Sequence, residues 1–379
     1  MNTNKTEHIS SCCYSCSFVA QSFSYPAAIL RRLPLTLPRH AQLWLPGYIR
    51  NRLASKPVPR GGRVWVAIAD HWEPLGGHAS DESAAERVAL WVKHWPEIAR
   101  RHADSTGRAP QYTFYYPQEE YRPQFLDALA EMKRAGIADV DVHIHHDGEG
   151  QQNFVDRMSG FIETLVTRHG LLRLSDGRPV FGFIHGNWAL DNSRPDGRWC
   201  GLNNEITLLR ELGCYADFTM PSGNSPTQSR TVNTIYFVCD DPLKPRSYDW
   251  GVAVKPGAPG TGDLLMIPGP FGLRWAKRMP RIETGEIACY DLPTPYRVER
   301  WLRLAPRIGS DIFIKLYTHG AQERNSSALL LQGGLERLFH LLVEACGRYS
   351  HQLRYVSTWE MRQAVDAAAG VDLKEHGHE

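Results

Sequence analysis

The sequence predicts an α/β fold built on a parallel sheet, from three observations. Apolar runs of strand length recur along the chain, amphipathic segments of helix length alternate with them, and His, Asp and Glu gather where the apolar runs end. Strand and helix units repeated in one chain favour parallel pairing, in an open sheet or in one closed into a barrel. The first unit shows the pattern. Val64-Trp65-Val66-Ala67-Ile68-Ala69 is continuously apolar, as a strand buried on both faces should be. After a capping Ser80, Ala85, Val88, Trp91, Val92, Trp95 and Ile98 recur at spacings of three and four, the stripe of an amphipathic helix over 81–101.

The alternation then continues. A second strand over 112–116 leads to a helix over 121–135, and a third strand over 139–145 leads to a helix over 154–168. A strand over 180–184, a helix over 203–212 and a strand near 215–220 follow. Residues 222–290 break the rhythm with many Gly and Pro and two short β-like runs, 234–238 and 264–267; they read as an insertion over the site containing a hairpin. A helix over 295–304, a strand over 312–317 and a helix over 329–348 resume the pattern. Residues 1–62 read as a polar tail and a Pro-punctuated lead-in, 63–365 as the domain and 366–379 as a C-terminal tail.

Composition narrows the function. Across 379 residues, 43 Lys+Arg face 41 Asp+Glu, and the formal charge of +2 has no long basic block behind it. A dedicated nucleic-acid binder would need such a block to neutralise phosphates. No run approaches the roughly 18 apolar residues of a membrane helix, and residues 1–25 are too rich in hydroxyls for a secretory core. Cys13 and Cys16 form a CxxC with no second pair to complete a zinc site, and Cys200, Cys214, Cys239, Cys289 and Cys346 are scattered. Scattered thiols point to a reducing compartment, hence the cytoplasm. The uneven feature is histidine, 16 in all, with His143, His145 and His146 within four positions.

In parallel α/β proteins ligands sit at the carboxyl ends of the strands, so the residues there matter most. They are Asp70-His71-Trp72-Glu73, Gln118-Glu119-Glu120, His143-Ile144-His145-His146-Asp147, His185-Gly186-Asn187-Trp188 and Thr318-His319-Gly320. Residues two apart on a strand share a face, which suits His143 and His145 as a ligand pair; His143 and Asp147, four apart, suit two ligands if the chain turns helical. Asp70 can take a proton from a metal-bound water while His71 holds the metal, and His319 can protonate a leaving group. Glu73, Glu119 and Glu120 offer paired carboxylates, but Glu119 and Glu120 are better read as the start of an exposed helix, where negative charge is favoured. Trp72, Trp188, Trp250 and Tyr317 fall near strand ends and suit stacking on sugar rings, whereas Trp91 and Trp95 lie on a helix stripe and belong to the core.

On these strand-end residues the chain resembles the polysaccharide deacetylase (NodB homology) superfamily of carbohydrate esterases, in its divergent branch associated with lipopolysaccharide biosynthesis. The resemblance spans about residues 63–365. It implies a distorted (β/α) barrel of about seven strands, a divalent metal, most readily zinc, and a carbohydrate substrate. It carries the base onto Asp70, the metal ligands onto His71, His143 and Asp147 with His145 in reserve, and the last motif onto the strand that ends in His319. Three departures stand out. His71 takes the place of an aspartate, Asp147 that of a histidine, and His185-Gly186-Asn187-Trp188 that of an Arg-Pro-Pro-Tyr motif.

The expected chemistry is removal of an N- or O-acetyl group from a sugar, with Asp70 and His319 moving protons and Trp72, His185, Asn187, Trp188 and Tyr317 contacting substrate. Two alternatives stay open. One is a metal-independent glycoside hydrolase using Asp70 with Glu73 or Glu119; the other is a degenerate barrel that binds glycan or protein without chemistry.

Overall fold

The computed structural model describes residues 37–371 except Lys56 and Lys277. The polar tail over 1–25 with its Cys13 and Cys16, and His376 and His378, lie outside the described residues. Along the chain, α1 (Ala41–Ala54) precedes β1 (Arg63–His71), α2 (Asp81–Arg101), β2 (Tyr112–Pro117), α3 (Pro123–Arg134), β3 (Ala138–Ile144) and α4 (Gln151–Thr167). A short β4 (Arg173–Ser175) pairs antiparallel with β5 (Arg178–His185), and α5 (Glu205–Glu211) leads to β6 (Cys214–Asp217). Then come β7 (Tyr236–Val238), β8 (Val252–Ala253), β9 (Leu264–Met266) and the hairpin β10 (Gly272–Ala276) and β11 (Met279–Glu283). The last part holds α6 (Pro295–Leu304), β12 (Arg307–Ile308), β13 (Asp311–Thr318), α7 (Glu323–Ser326), α8 (Gly334–Arg348), β14 (Gln352–Tyr355) and α9 (Thr358–Ala369).

The order β13-β1-β2-β3-β5-β6-β9 is parallel throughout, and it is the spine of the fold. Beyond β9 the sheet turns antiparallel into β7 and β8. Among the described residues no ladder returns from β9 to β13. Lys315 Nζ on β13 donates to the Phe218 carbonyl beyond β6 at 2.8 Å, and the segment after β11 bridges to β13, with Ile287 N donating to the Tyr317 carbonyl at 2.8 Å and Tyr317 N to the Gly285 carbonyl at 3.2 Å.

Side-chain alternation gives the sheet two distinct faces. Val64, Val66 and Ile68 of β1, with Phe114, Val140, Val142 and Phe183 from its neighbours, pack under α2, α3, α4 and α8 in the larger core. Ala67, Ala69, Tyr115, Ile184 and Phe313 line the opposite, concave face, against Met361, Ala364 and Val365 of α9. Small residues on β1 leave that face room for polar groups.

Several boundaries differ from the sequence reading. The runs over 234–238 and 264–267 do not form an insertion over the site; as β7 and β9 they extend the main sheet, and Leu264, Leu265, Met266 and Ile267 are each 1% exposed. Only β10 and β11 make the separate hairpin. The helix expected from 329 starts at Gly334, because Gly333 adopts φ 75°, a conformation that ends one helical run and caps the next. The fold also runs past residue 365. Ser357 and Glu360 cap each other's backbone N–H groups at the start of α9, which ends at Gly370 with φ 82°. On the other side, Trp44 of α1 is 3% exposed and packs edge-on to Phe271 at 5.2 Å.

Candidate metal centre

Parallel pairing brings the strand ends level on one rim. Asp70 pairs with Thr318, His71 with Tyr115, Pro117 with His143 and Ile144 with His185. His319 follows β13, His71 closes β1, the turn Gln118–Glu120 follows β2, and His143 and His145 come from the end of β3. Glu73, two residues beyond β1, lies between them. Its Oε1 is 3.3 Å from His143 Nε2 and 3.7 Å from His145 Nε2. Two groups of ligand atoms, Glu73 with His143 and His145, and Glu73 with His71 and His319, each lie within 4.8 Å of one another. Four imidazoles thus share one carboxylate.

The arrangement is oriented from behind. His143 Nδ1 donates to the Ile184 carbonyl at 2.7 Å; a carbonyl only accepts, so this bond commits Nδ1 and turns Nε2 toward Glu73. His145 Nδ1 meets the Glu119 carboxylate, which also accepts the His145 backbone N–H at 3.1 Å. Gly186 makes room: a Cβ there would lie 2.3 Å from the His145 ring. His71 Nε2 is buried without a partner, and its ring centroid is 4.7 Å from that of His319 and 5.3 Å from that of His143. An orphaned nitrogen and two imidazoles with committed Nδ1 atoms fit a divalent cation.

Electrostatics agree with that donor set. Burial pushes the Glu73 carboxyl up, but the His143 hydrogen bond and the His319, His143 and His145 charges outweigh it, and the value falls to about 2. Burial, followed by repulsion from His319 and His143, holds His71 well below the usual imidazole range, so it is neutral. Burial lowers His145 too, but the Glu119 bond and charge reverse the sign and raise it.

Some expected residues stand elsewhere. Asp147 is exposed and accepts the Trp199 backbone N–H at 2.8 Å, so the turn after β3 carries it away from His143 instead of returning it in helical register. Asp70 faces the opposite side of the sheet from His71, because neighbours on a strand diverge. It is 0% exposed; Gly320 N donates to its Oδ1 at 2.7 Å and Tyr112 Oη to its Oδ2 at 2.8 Å. Burial pushes its carboxyl up to about 8 against those two bonds. Asp70 therefore grips the His319-Gly320 turn from below and has no path to the rim. Trp72 is likewise core, edge-on to Phe114 at 4.7 Å and to Trp91 at 5.2 Å.

Of the expected sugar contacts, Trp188 and Tyr317 line one cleft of about 440 Å³ beside the imidazoles, with Arg274, Arg281, Glu286 and Tyr290. The Trp188 ring lies 5.4 Å from His71 and 5.8 Å from His319. Trp250 is outside it, half exposed against Arg50. Asn187 shares the left-handed turn of Trp188, with φ 54° at each, and is not among the cleft residues. His185 points to the other face of β5, where His146, Cys200 and Glu205 form a second, fully buried group. Glu119 is the residue that sequence reasoning undervalued, since a helix start explains its charge without invoking His145.

No family model matches the chain, and no curated protein matches it. Among solved structures, the crystal structure of 4-alpha-glucanotransferase from Thermococcus litoralis is similar at 10% identity and a TM-score of 0.40. The match covers 80% of this chain, which spans 40% of that one, and a likeness this distant carries no argument about the reaction.

Proposed function

We propose that the protein is a metal-dependent hydrolase that removes an acetyl group from a sugar or polysaccharide, in keeping with the deacetylase resemblance and its distorted barrel. The observation that carries the reading is the convergence of four histidines on Glu73 at the strand ends. His143, His145 and Glu73 would hold the cation, because the two imidazoles are oriented by Ile184 and Glu119. An ion held there, zinc by its nitrogen and oxygen donors, would supply Lewis acidity for an acetyl carbonyl and for water. His71, whose buried Nε2 has no partner, would add a nitrogen toward the cation, and the adjacent His319 would protonate the leaving amine or alcohol. Trp188 and Tyr317 offer the ring faces on which a sugar stacks in the cleft.

A metal-free glycosidase would need Asp70 at the rim, which its orientation under Gly320 denies. The test is acetate release from N- and O-acetylated oligosaccharides. Release that chelation and His143→Ala abolish, and that added Zn2+ restores to the chelated wild type, supports the reading. Reducing sugar released in the presence of chelator, or no acetate with any divalent metal, refutes it.

A further inference from the structure

On the far face of the sheet, four side chains from four separate places meet around one point. His146 follows β3, His185 ends β5, Cys200 lies in the loop beyond it and Glu205 opens α5. His146 Nε2 is 2.9 Å from Glu205 Oε1 and 2.9 Å from His185 Nε2, which is itself 3.2 Å from Glu205 Oε1. Cys200 Sγ is 3.3 Å from Glu205 Oε2. Tetrahedral bonds of about 2.0–2.3 Å set ligand atoms roughly 3.3–3.7 Å apart, and one ligand atom from each of the four residues lies within 4.8 Å of the others. The side chains of His146, His185 and Glu205 are 0% exposed, as is Cys200.

Hydrogen bonds around the group turn its donor atoms toward one point. His185 Nδ1 donates to the Gly186 carbonyl at 2.6 Å, so its Nε2 is a lone pair aimed at His146 Nε2. Cys200 Sγ receives the backbone N–H groups of Asn192 at 3.2 Å and Leu202 at 3.4 Å, and its thiol proton, directed at Glu205 Oε2, is the one a cation would displace. Glu205 Oε2 receives the Asp191 N–H at 2.6 Å. A sulfur, a carboxylate and two imidazoles converge away from solvent, and His146 Nδ1 is buried without a partner.

We propose that His146, His185, Cys200 and Glu205 hold a second, structural divalent cation, a zinc ion by its N2OS donor set. It closes all four positions and leaves none for substrate. It also pins the residues beside the first centre: His146 adjoins His145, and His185 adjoins the Gly186 on which the His145 ring rests.

The test uses the full chain carrying His143→Ala, which weakens the first centre. It should retain one equivalent of zinc, and Co2+ in its place should show sulfur-to-cobalt charge-transfer absorption that Cys200→Ser removes. Glu205→Gln keeps an acceptor for the Asp191 N–H and should lower zinc affinity about tenfold or more; it decides the matter if Cys200→Ser does not fold. A chain that takes up no metal, a cobalt spectrum indifferent to Cys200→Ser, or unchanged affinity in Glu205→Gln overturns the proposal.

Discussion

One step along an extended strand separates His71, whose free Nε2 faces the rim, from Asp70, whose two oxygens are bound beneath Gly320. At this scale the chemistry depends as much on the atoms behind a ligand as on the ligand. Replacing the carboxylate behind His145, in Glu119→Gln, keeps size and polarity but removes the charge that holds Nδ1. Metal affinity is expected to fall about 10–100-fold with the fold intact, measured by competition with a chromophoric chelator. Affinity equal to wild type would mean that Glu119 does not orient the ligand. Lys315 sets a pH dependence of its own. Burial lowers its ammonium from 10.5 to about 7, so between those values the unfolded chain holds a proton that the folded chain has released. Stability must therefore rise with pH across that window, by up to ~1.4 kcal/mol per unit, and this contribution is lost as pH falls through 7. Asp217, raised to about 7 by burial, titrates below the window. Urea unfolding at pH 7 and pH 9 should show wild type gaining on Lys315→Met; parallel pH profiles would contradict the burial argument.

At the scale of elements, α9 closes the concave face from the side away from the rim. Its Thr358 hydroxyl donates to Asp141 at 2.9 Å, and Met361, Ala364 and Val365 pack on the inner core. Ser357→Ala removes the side-chain acceptor for the Glu360 N–H and should cost about 1 kcal/mol of stability by denaturant titration, with metal content unchanged. A loss of metal would show instead that α9 reaches the rim. The Ser357-Thr358-Trp359-Glu360 capping box marks the start of a helix that carries the fold beyond the expected end at 365. Long elements are plain because their patterns are strong: α6 spans Pro295–Leu304, matching its expected bounds, and β1 and β13 extend one or two residues further at each end. β7 and β9, three residues each, are visible as β-like runs, but their place in the main sheet is not. Runs so short become strands through pairing partners, and no local pattern names a partner. The same limit explains the site. His143, His145 and His319 stood out because strand ends select them, whereas Glu73 and Glu119 owe their roles to contacts across 70 and 26 residues.

Over the whole molecule, one sheet carries two histidine groups on its opposite faces, since His145 and His146 diverge as adjacent residues must. Their exposure differs in a way that makes them separable. The side chain of His145 is one-third exposed and that of Glu73 14% exposed, while the side chains of the second group have no solvent-facing surface. A chelator reaches a rim ion directly but must wait for the buried one to be released by local opening. Brief treatment with a chelator should therefore abolish hydrolysis while one equivalent of metal and the thermal midpoint persist. Longer treatment should remove the second equivalent and lower the midpoint, because an ion that binds only the folded chain stabilises it by about 4 kcal/mol at a thousandfold excess over its dissociation constant. Activity, metal and midpoint followed in one time course resolve the two steps. Loss of all three together would mean a single coupled centre, and hydrolysis that outlasts complete removal of metal would refute a catalytic role for either.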